Sequence, residues 1–205
     1  SVFDSTSRDA SGLSTNAAGD AIHGSIPSGA WVEGTGADRK IYTVDEDVRR
    51  GKIVRADVGT TTSGYDGAAV DQTTDGGGNI LNGLMDLVRA PDGSWYIAQY
   101  RFTDSDGVPS LSHWQDGSNA PDWTSGPSTF SLNLAYGSMD IDEAGESLVM
   151  GTRGGLIYVV DISGATPSLS TSITHSGGSF VRDVAFDAAG NIYAVSSSTE
   201  TLRIY

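Results

Sequence analysis

Residues 181–205 read "VRDVAFDAAGNIYAVSSSTETLRIY". An apolar alternation over 181–186 runs into a tight turn at "DAAG", a second apolar strand follows in "NIYAVSS", and after a short polar turn "TLRIY" forms a third. Gly190 stands where a hairpin turn needs a residue tolerant of positive φ. The segment therefore predicts three consecutive antiparallel strands.

The same unit recurs upstream, and internal repeats decide a fold before any single element does. A small residue followed by glycine, flanked by apolar alternation, appears in "LSTNAAGDAIHGSI" (13–26), "LMDLVRAPDGSWYIAQY" (84–100) and "MDIDEAGESLVMGT" (139–152), with Gly19, Gly93 and Gly145 at the turns. Third strands are expected at 39–45, 109–116, 155–162 and 201–205, and fourth strands at 51–58, 129–135 and 169–175. The turn glycines lie 74, 52 and 45 residues apart. The last two spacings match the roughly 40–50 residues of a four-stranded propeller blade. The first is longer, and the Gly/Thr/Asp-rich stretch 59–82 is read as an inserted loop. The units are expected at about 8–58, 83–135, 136–175 and 180–205.

The final unit resembles an NHL-type propeller repeat, with Asp187, Gly190, Asn191, Ile192, Tyr193, Arg203, Ile204 and Tyr205 standing where that pattern puts such residues. The hairpin also resembles that of gluconolactonase-like and strictosidine-synthase-like propellers. The metal-binding Glu, Asn and Asp side chains of those enzymes do not map position by position onto this sequence. What the resemblance implies is an all-β propeller with about four traced blades in one domain. Two architectures satisfy it: a ring closed by residues 1–6 pairing beside 201–205, or a section of a larger propeller.

Composition narrows the function classes. The chain of 205 residues carries a net charge of −14, with two lysines, Lys40 and Lys52. Nucleic acid and anionic membranes are therefore disfavoured as partners, and protein or carbohydrate surfaces are expected. No apolar run reaches the roughly 18 residues of a membrane span. There is no cysteine, so disulfides and thiolate metal sites are excluded. Acidity with abundant Ser, Thr, Gly and Asp points to a secreted, extracellular protein.

Candidate site residues follow from the propeller reading. Inner strands line the central channel, and three of them begin with an aspartate: Asp86, Asp140 and Asp183. A ring of carboxylates at a channel mouth is suited to a hard cation such as Ca²⁺. Alternatively, the three satisfy backbone donors at the strand starts. Asp104 and Asp106 in "DSDG" form a second calcium candidate, although ordinary Asx-turns use the same residues. His23, His113 and His175 fall on strands of different rank, so no shared metal site is expected. Trp95 is expected in the core, whereas Trp31, Trp114 and Trp123 lie in or beside Gly, Ser and Pro-rich segments where an indole can anchor a partner. The stretch 114–128 is the expected contact loop.

No nucleophile elbow or phosphate loop is present. The reading is a non-catalytic extracellular binding or assembly module, with self-association through open sheet edges as a variant. A divalent-metal-dependent hydrolase of the lactonase type is the alternative.

Overall fold

The computed structural model describes residues 14–15, 21–23, 27–35, 39–45, 53–58, 69–70, 84–99, 111–115, 121–125, 138–176 and 180–205. Every regular element among them is a strand. Strands β1 (Ser14–Thr15) and β2 (Ala21–His23) form a two-stranded sheet. Blade one comprises β3 (Pro27–Glu33), β4 (Arg39–Asp45), β5 (Ile53–Val58) and β6 (Ala69–Val70). Blade two comprises β7 (Leu84–Arg89), β8 (Trp95–Gln99), β9 (Leu111–Trp114) and β10 (Trp123–Thr124). Blade three follows as β11 (Met139–Ile141), β12 (Ser147–Gly151), β13 (Leu156–Asp161) and β14 (Ser168–Thr174). Blade four holds β15 (Val181–Phe186), β16 (Ile192–Ser196) and β17 (Thr201–Ile204).

Within each blade the strands pair in chain order and antiparallel, as short turns between sequential strands dictate. The first strands of successive blades lie against one another, β3 on β7, β7 on β11 and β11 on β15. The sheets therefore stack face to face around a shared line of inner strands. Stacking buries both faces of the inner blades, which explains their near-continuous apolar runs. In blade three Leu148, Met150, Tyr158 and Val160 pack in one cluster with Met85, Tyr96 and Leu111 of blade two. Val149 and Ile157, on the opposite face, pack with Val181, Val184, Ile192 and Ala194 of blade four. Alternate residues of a strand thus serve different neighbours.

The turn glycines behave as the sequence requires at Gly93, Gly145 and Gly190, with φ of 89°, 72° and 82°. Each amide closes its turn onto the carbonyl three residues back: Ala90, Asp142 and Asp187 respectively.

Blade one departs from expectation. The hairpin around Gly19 supplies a separate two-stranded sheet, and the blade starts at β3 instead. Residues 39–45 are its second strand and 53–58 its third, while the fourth, Ala69–Val70, lies inside the stretch read as an insertion. The misreading has a physical cause. "PSGAWVE" carries proline and glycine, which depress strand propensity. Gly29 is nevertheless required, because the Cα of Asp86 lies 2.6 Å from where a Cβ would stand. In blade two the described fourth strand is Trp123–Thr124; residues 129–135, like 1–6, fall outside the described residues.

Candidate functional site

The inner-strand aspartates are hydrogen-bonded across blades. Asp86 accepts the Leu87 amide on Oδ1 at 2.9 Å and the Met139 amide of blade three on Oδ2 at 2.7 Å. Asp140 repeats the motif one blade on, accepting the Ile141 amide at 2.9 Å and the Phe186 amide of blade four at 2.7 Å. Asp183 accepts the Ser138 hydroxyl at 2.5 Å, and that hydroxyl in turn accepts the Val184 amide at 2.8 Å. Asp86 and Asp140 thus take the backbone-satisfying role between neighbouring inner strands, whereas Asp183 holds the Ser138 hydroxyl that satisfies the Val184 amide.

The three are not register-equivalent. The residue pairs beside the turns are Arg89 with Trp95, Ile141 with Leu148 and Phe186 with Ile192, so Ser138 occupies the position of Asp86 and Asp183. Asp140 lies two residues further along. Among the described residues no three His, Asp or Glu side chains converge as a metal ion requires. Burial pushes the Asp86 carboxyl up to about 7, against the lowering by its two amide bonds; Asp183 and Asp140 add smaller repulsions in the same direction.

A second region forms where the first turns of blades two and three meet. Pro91 sits directly over Gly145, whose added Cβ would stand 2.9 Å from the proline ring. The Ala90–Asp92 ridge divides the surface into two hollows. One, of about 520 Å³, is lined by Trp31, Arg89, Pro91, Ile141, Asp142 and Glu143 among others. The other, about 350 Å³, is bounded by Asp92, Ser94, Tyr96, Ala144, Glu146 and Ser163 among others. Asp142 holds its turn by accepting the Glu146 and Ser147 amides at 2.8 and 3.1 Å. Asp92 accepts both the Ser94 hydroxyl at 2.6 Å and its amide at 2.9 Å, which hold its carboxyl below the usual carboxylate range. Asp92 therefore stays ionised near neutrality. Arg89, within the larger hollow, lies over the Trp95 and Tyr42 rings at 4.6 and 5.5 Å.

The tryptophans divide. Trp31 is half-buried, packs against the core clusters of blades one to three and lines the larger hollow. Trp123 is also half-buried, packed on the core between blades two and three. Trp114 is corrected: it is 2% exposed, its indole N–H donates to Ser112 Oγ at 2.8 Å, and it packs with Tyr42, Leu87 and Trp95. The strand alternation at 111–114 turns this residue inward. Trp95 is buried as expected. Asp104 and Asp106 fall outside the described residues.

The histidines sit on separate elements. His113 Nδ1 lies 2.6 Å from Asp122 Oδ1, and the ring stacks near Tyr96. His175 is buried, with Nδ1 2.8 Å from the Tyr205 hydroxyl and Nε2 without a partner. Sequence reasoning missed the hollows because they arise from two turns 52 residues apart meeting through Pro91 and Gly145; the clustered charges in "DEAGE" (142–146) were the available signal.

No protein-family model matches the sequence, and no curated protein matches it. Solved structures do. A chain in the crystal structure of the mitotic checkpoint complex superposes with a TM-score of 0.61 at 12% identity, over 90% of this chain and 50% of that one. A structural-genomics X-ray structure assigned as a gluconolactonase gives a TM-score of 0.54 at 15% identity, over 77% of this chain and 53% of that one. The chain is a β-propeller. It spans about half the length of the propeller chains it matches. At these identities the likeness carries the fold alone.

Proposed function

We propose that this propeller is an extracellular, non-catalytic binding module whose partner is a protein surface with basic character, engaged through the paired hollows between blades two and three. The observation that carries the reading is the meeting of Trp31, Pro91 and Ile141 with the acidic Asp92, Asp142 and Glu143 around the larger hollow, with Glu146 on the smaller one beside it. An aromatic and apolar floor with a charged rim is the composition of protein-recognition surfaces. The net charge of −14 favours association with cationic partners. The backbone-directed bonds of Asp86 and Asp140 favour a structural role for the channel carboxylates over a catalytic one. The first solved neighbour is itself part of a multiprotein complex, in line with a protein partner. Extracellular action is supported by composition.

Amide chemical shifts under titration with a short Lys/Arg-rich peptide provide the test, with an Asp/Glu-rich peptide and a neutral oligosaccharide in parallel. The basic peptide is expected to shift residues 90–94 and 141–146, and Glu143→Lys to weaken the effect several-fold. Shifts confined to other blades, or binding of the oligosaccharide alone, overturn the reading.

A further inference from the structure

The smaller hollow between blades two and three contains one buried polar side chain that the fold leaves unused. Tyr96, on β8, is 5% exposed, and its ring packs in the apolar cluster with Met85, Leu111 and Leu148. It also lines the hollow, so the end of the ring that reaches the opening carries the hydroxyl. Among the described residues that hydroxyl has no hydrogen-bond partner. Burial and, to a smaller extent, the nearby Asp92 and Asp122 carboxylates push the phenol up to about 12, so it stays neutral. A buried polar group left over by the fold calls for a partner from outside it.

The polar groups around Tyr96 are acceptors whose own protons are committed elsewhere. Ser94 donates its hydroxyl at 2.6 Å and its amide at 2.9 Å to Asp92 Oδ1, so Oδ2 of Asp92 remains for a ligand. Ser163 Oγ donates to Asp161 Oδ1 at 2.7 Å, which leaves its lone pairs open. Glu146 brings a second exposed carboxylate from the turn of blade three. Among the described residues no Lys, Arg or His lines this hollow; Arg89 belongs to the larger one. Pro91 and Ile162 contribute apolar wall. Such a lining rejects anions and suits a ligand that only donates. An ammonium has three donors and no acceptor, and on lysine it is carried by an aliphatic stem that packs along apolar surface. A guanidinium is a planar fork matched to paired carboxylate oxygens. Tyr96 and Asp92 each present a single oxygen, which favours the compact charge.

We infer that the smaller hollow takes the ammonium group of one lysine side chain of the protein partner, received by the Tyr96 hydroxyl, Asp92 and Glu146, with the lysine stem along Pro91 and Ile162. The inference rests on the protein-binding reading for the partner and on the hollow's own residues for the lysine. At about 350 Å³ the hollow has room for a single side chain, so the lysine is an anchor within a wider contact.

Chemical shifts of the 205-residue chain test it, titrated with N-acetyl-lysine methylamide and with the arginine and norleucine counterparts of that compound. The lysine derivative is expected to shift Ser94, Tyr96, Glu146 and Ser163 while residues 141–143 stay in place. The arginine derivative should bind several-fold more weakly, and the norleucine derivative should shift nothing. Tyr96→Phe keeps the packed ring and removes only the acceptor, and Glu146→Gln removes one charge; each is expected to weaken lysine binding several-fold. Circular dichroism of both variants separates lost binding from lost folding. If Tyr96→Phe unfolds the chain, Glu146→Gln and the preference of the wild-type chain for lysine over arginine decide. Equal binding of lysine and arginine overturns the inference, as does lysine binding indifferent to Tyr96→Phe, or no shift around the smaller hollow. The two readings fail separately. A Lys/Arg-rich peptide that shifts 141–143, with the lysine derivative silent, removes the lysine site and leaves the protein-binding surface. A lysine derivative seated at Tyr96, with no response to the peptide, keeps the site and removes the surface.

Discussion

Asp86 Oδ2 accepts the Met139 amide at 2.7 Å, tying the inner strand of blade two to that of blade three through a half-buried carboxyl. On its other side Gly29 of blade one approaches so closely that no side chain fits. A single aspartate therefore touches three consecutive blades. Burial raises this acid to about 7, so the folded chain holds its proton more tightly than the unfolded chain does. The stability linked to that proton is complete below about pH 4 and is lost as pH rises through about 7.

Asp86→Asn is expected to remove this slope. Asp92, Asp122, Asp161 and Asp187 are shifted downward and act only at acid pH; His175, also lowered, acts in the opposite sense as pH falls below 6.5. The difference between wild type and Asp86→Asn isolates the one group. Urea unfolding from pH 5 to 8 should show the variant gaining relative to wild type by up to roughly 2–3 kcal/mol, the part of the shift that falls between pH 5 and about 7. Asn offers one acceptor where the carboxylate offers two, so a constant offset is expected as well. A difference that stays flat from pH 5 to 8 contradicts the account.

The turn glycines separate two causes of cost. Gly190 has φ of 82° and open space beside it, whereas Gly145 has φ of 72° and Pro91 against it. Gly190→Ala is expected to lose about 1 kcal/mol through backbone strain alone. Gly145→Ala adds displacement of the Pro91 ring, and a total of about 2–3 kcal/mol is expected. Equal losses in denaturant titrations would show that the blade contact yields freely.

Much of this fold could be read from residues 139–205, where turns are short and each strand follows the last directly. Blade one could not be, because its inner strand owes its identity to a neighbour: Gly29 is there for Asp86, 57 residues away. Asp86, Asp140 and Asp183 were visible as strand-start acids. Their partners were not, since a bond from Asp140 to the Phe186 amide depends on how blades are phased. Trp114 shows the same limit. Its polar surroundings in sequence suggest exposure, while alternation from Leu111 onward places it among Tyr42, Leu87 and Trp95.

His175 and Tyr205 close the far end of the interface between blades three and four. The Tyr205 hydroxyl is the hydrogen-bond partner of His175, and the ring is held below the ordinary histidine range by burial and by Arg203. Tyr205→Phe leaves both ring nitrogens unpartnered in a buried position, and a loss of about 1–3 kcal/mol is expected. NMR titration of the wild-type imidazole should give a midpoint below 6.5. A midpoint above that value would mean that the ring is open to solvent or faces an anion.

Arg89 secures blade one to blade two by stacking. Its guanidinium carbon lies 4.6 Å from the Trp95 ring centre and 5.5 Å from that of Tyr42, and Nη1 donates to the Tyr42 hydroxyl at 3.3 Å. A planar cation suits both rings at once, whereas lysine offers a compact charge with no flat face. Arg89→Lys is therefore expected to cost about 1 kcal/mol, within the range of cation–π contacts at partly exposed sites. Arg89→Met keeps much of the stem and removes the charge, so it should lose at least as much. Near-ultraviolet circular dichroism reports the environment of Trp95 directly. Unchanged stability in both variants, with an unaltered aromatic signal, would assign the contact between these blades to the apolar cluster of Leu87, Ile97 and Trp114 alone.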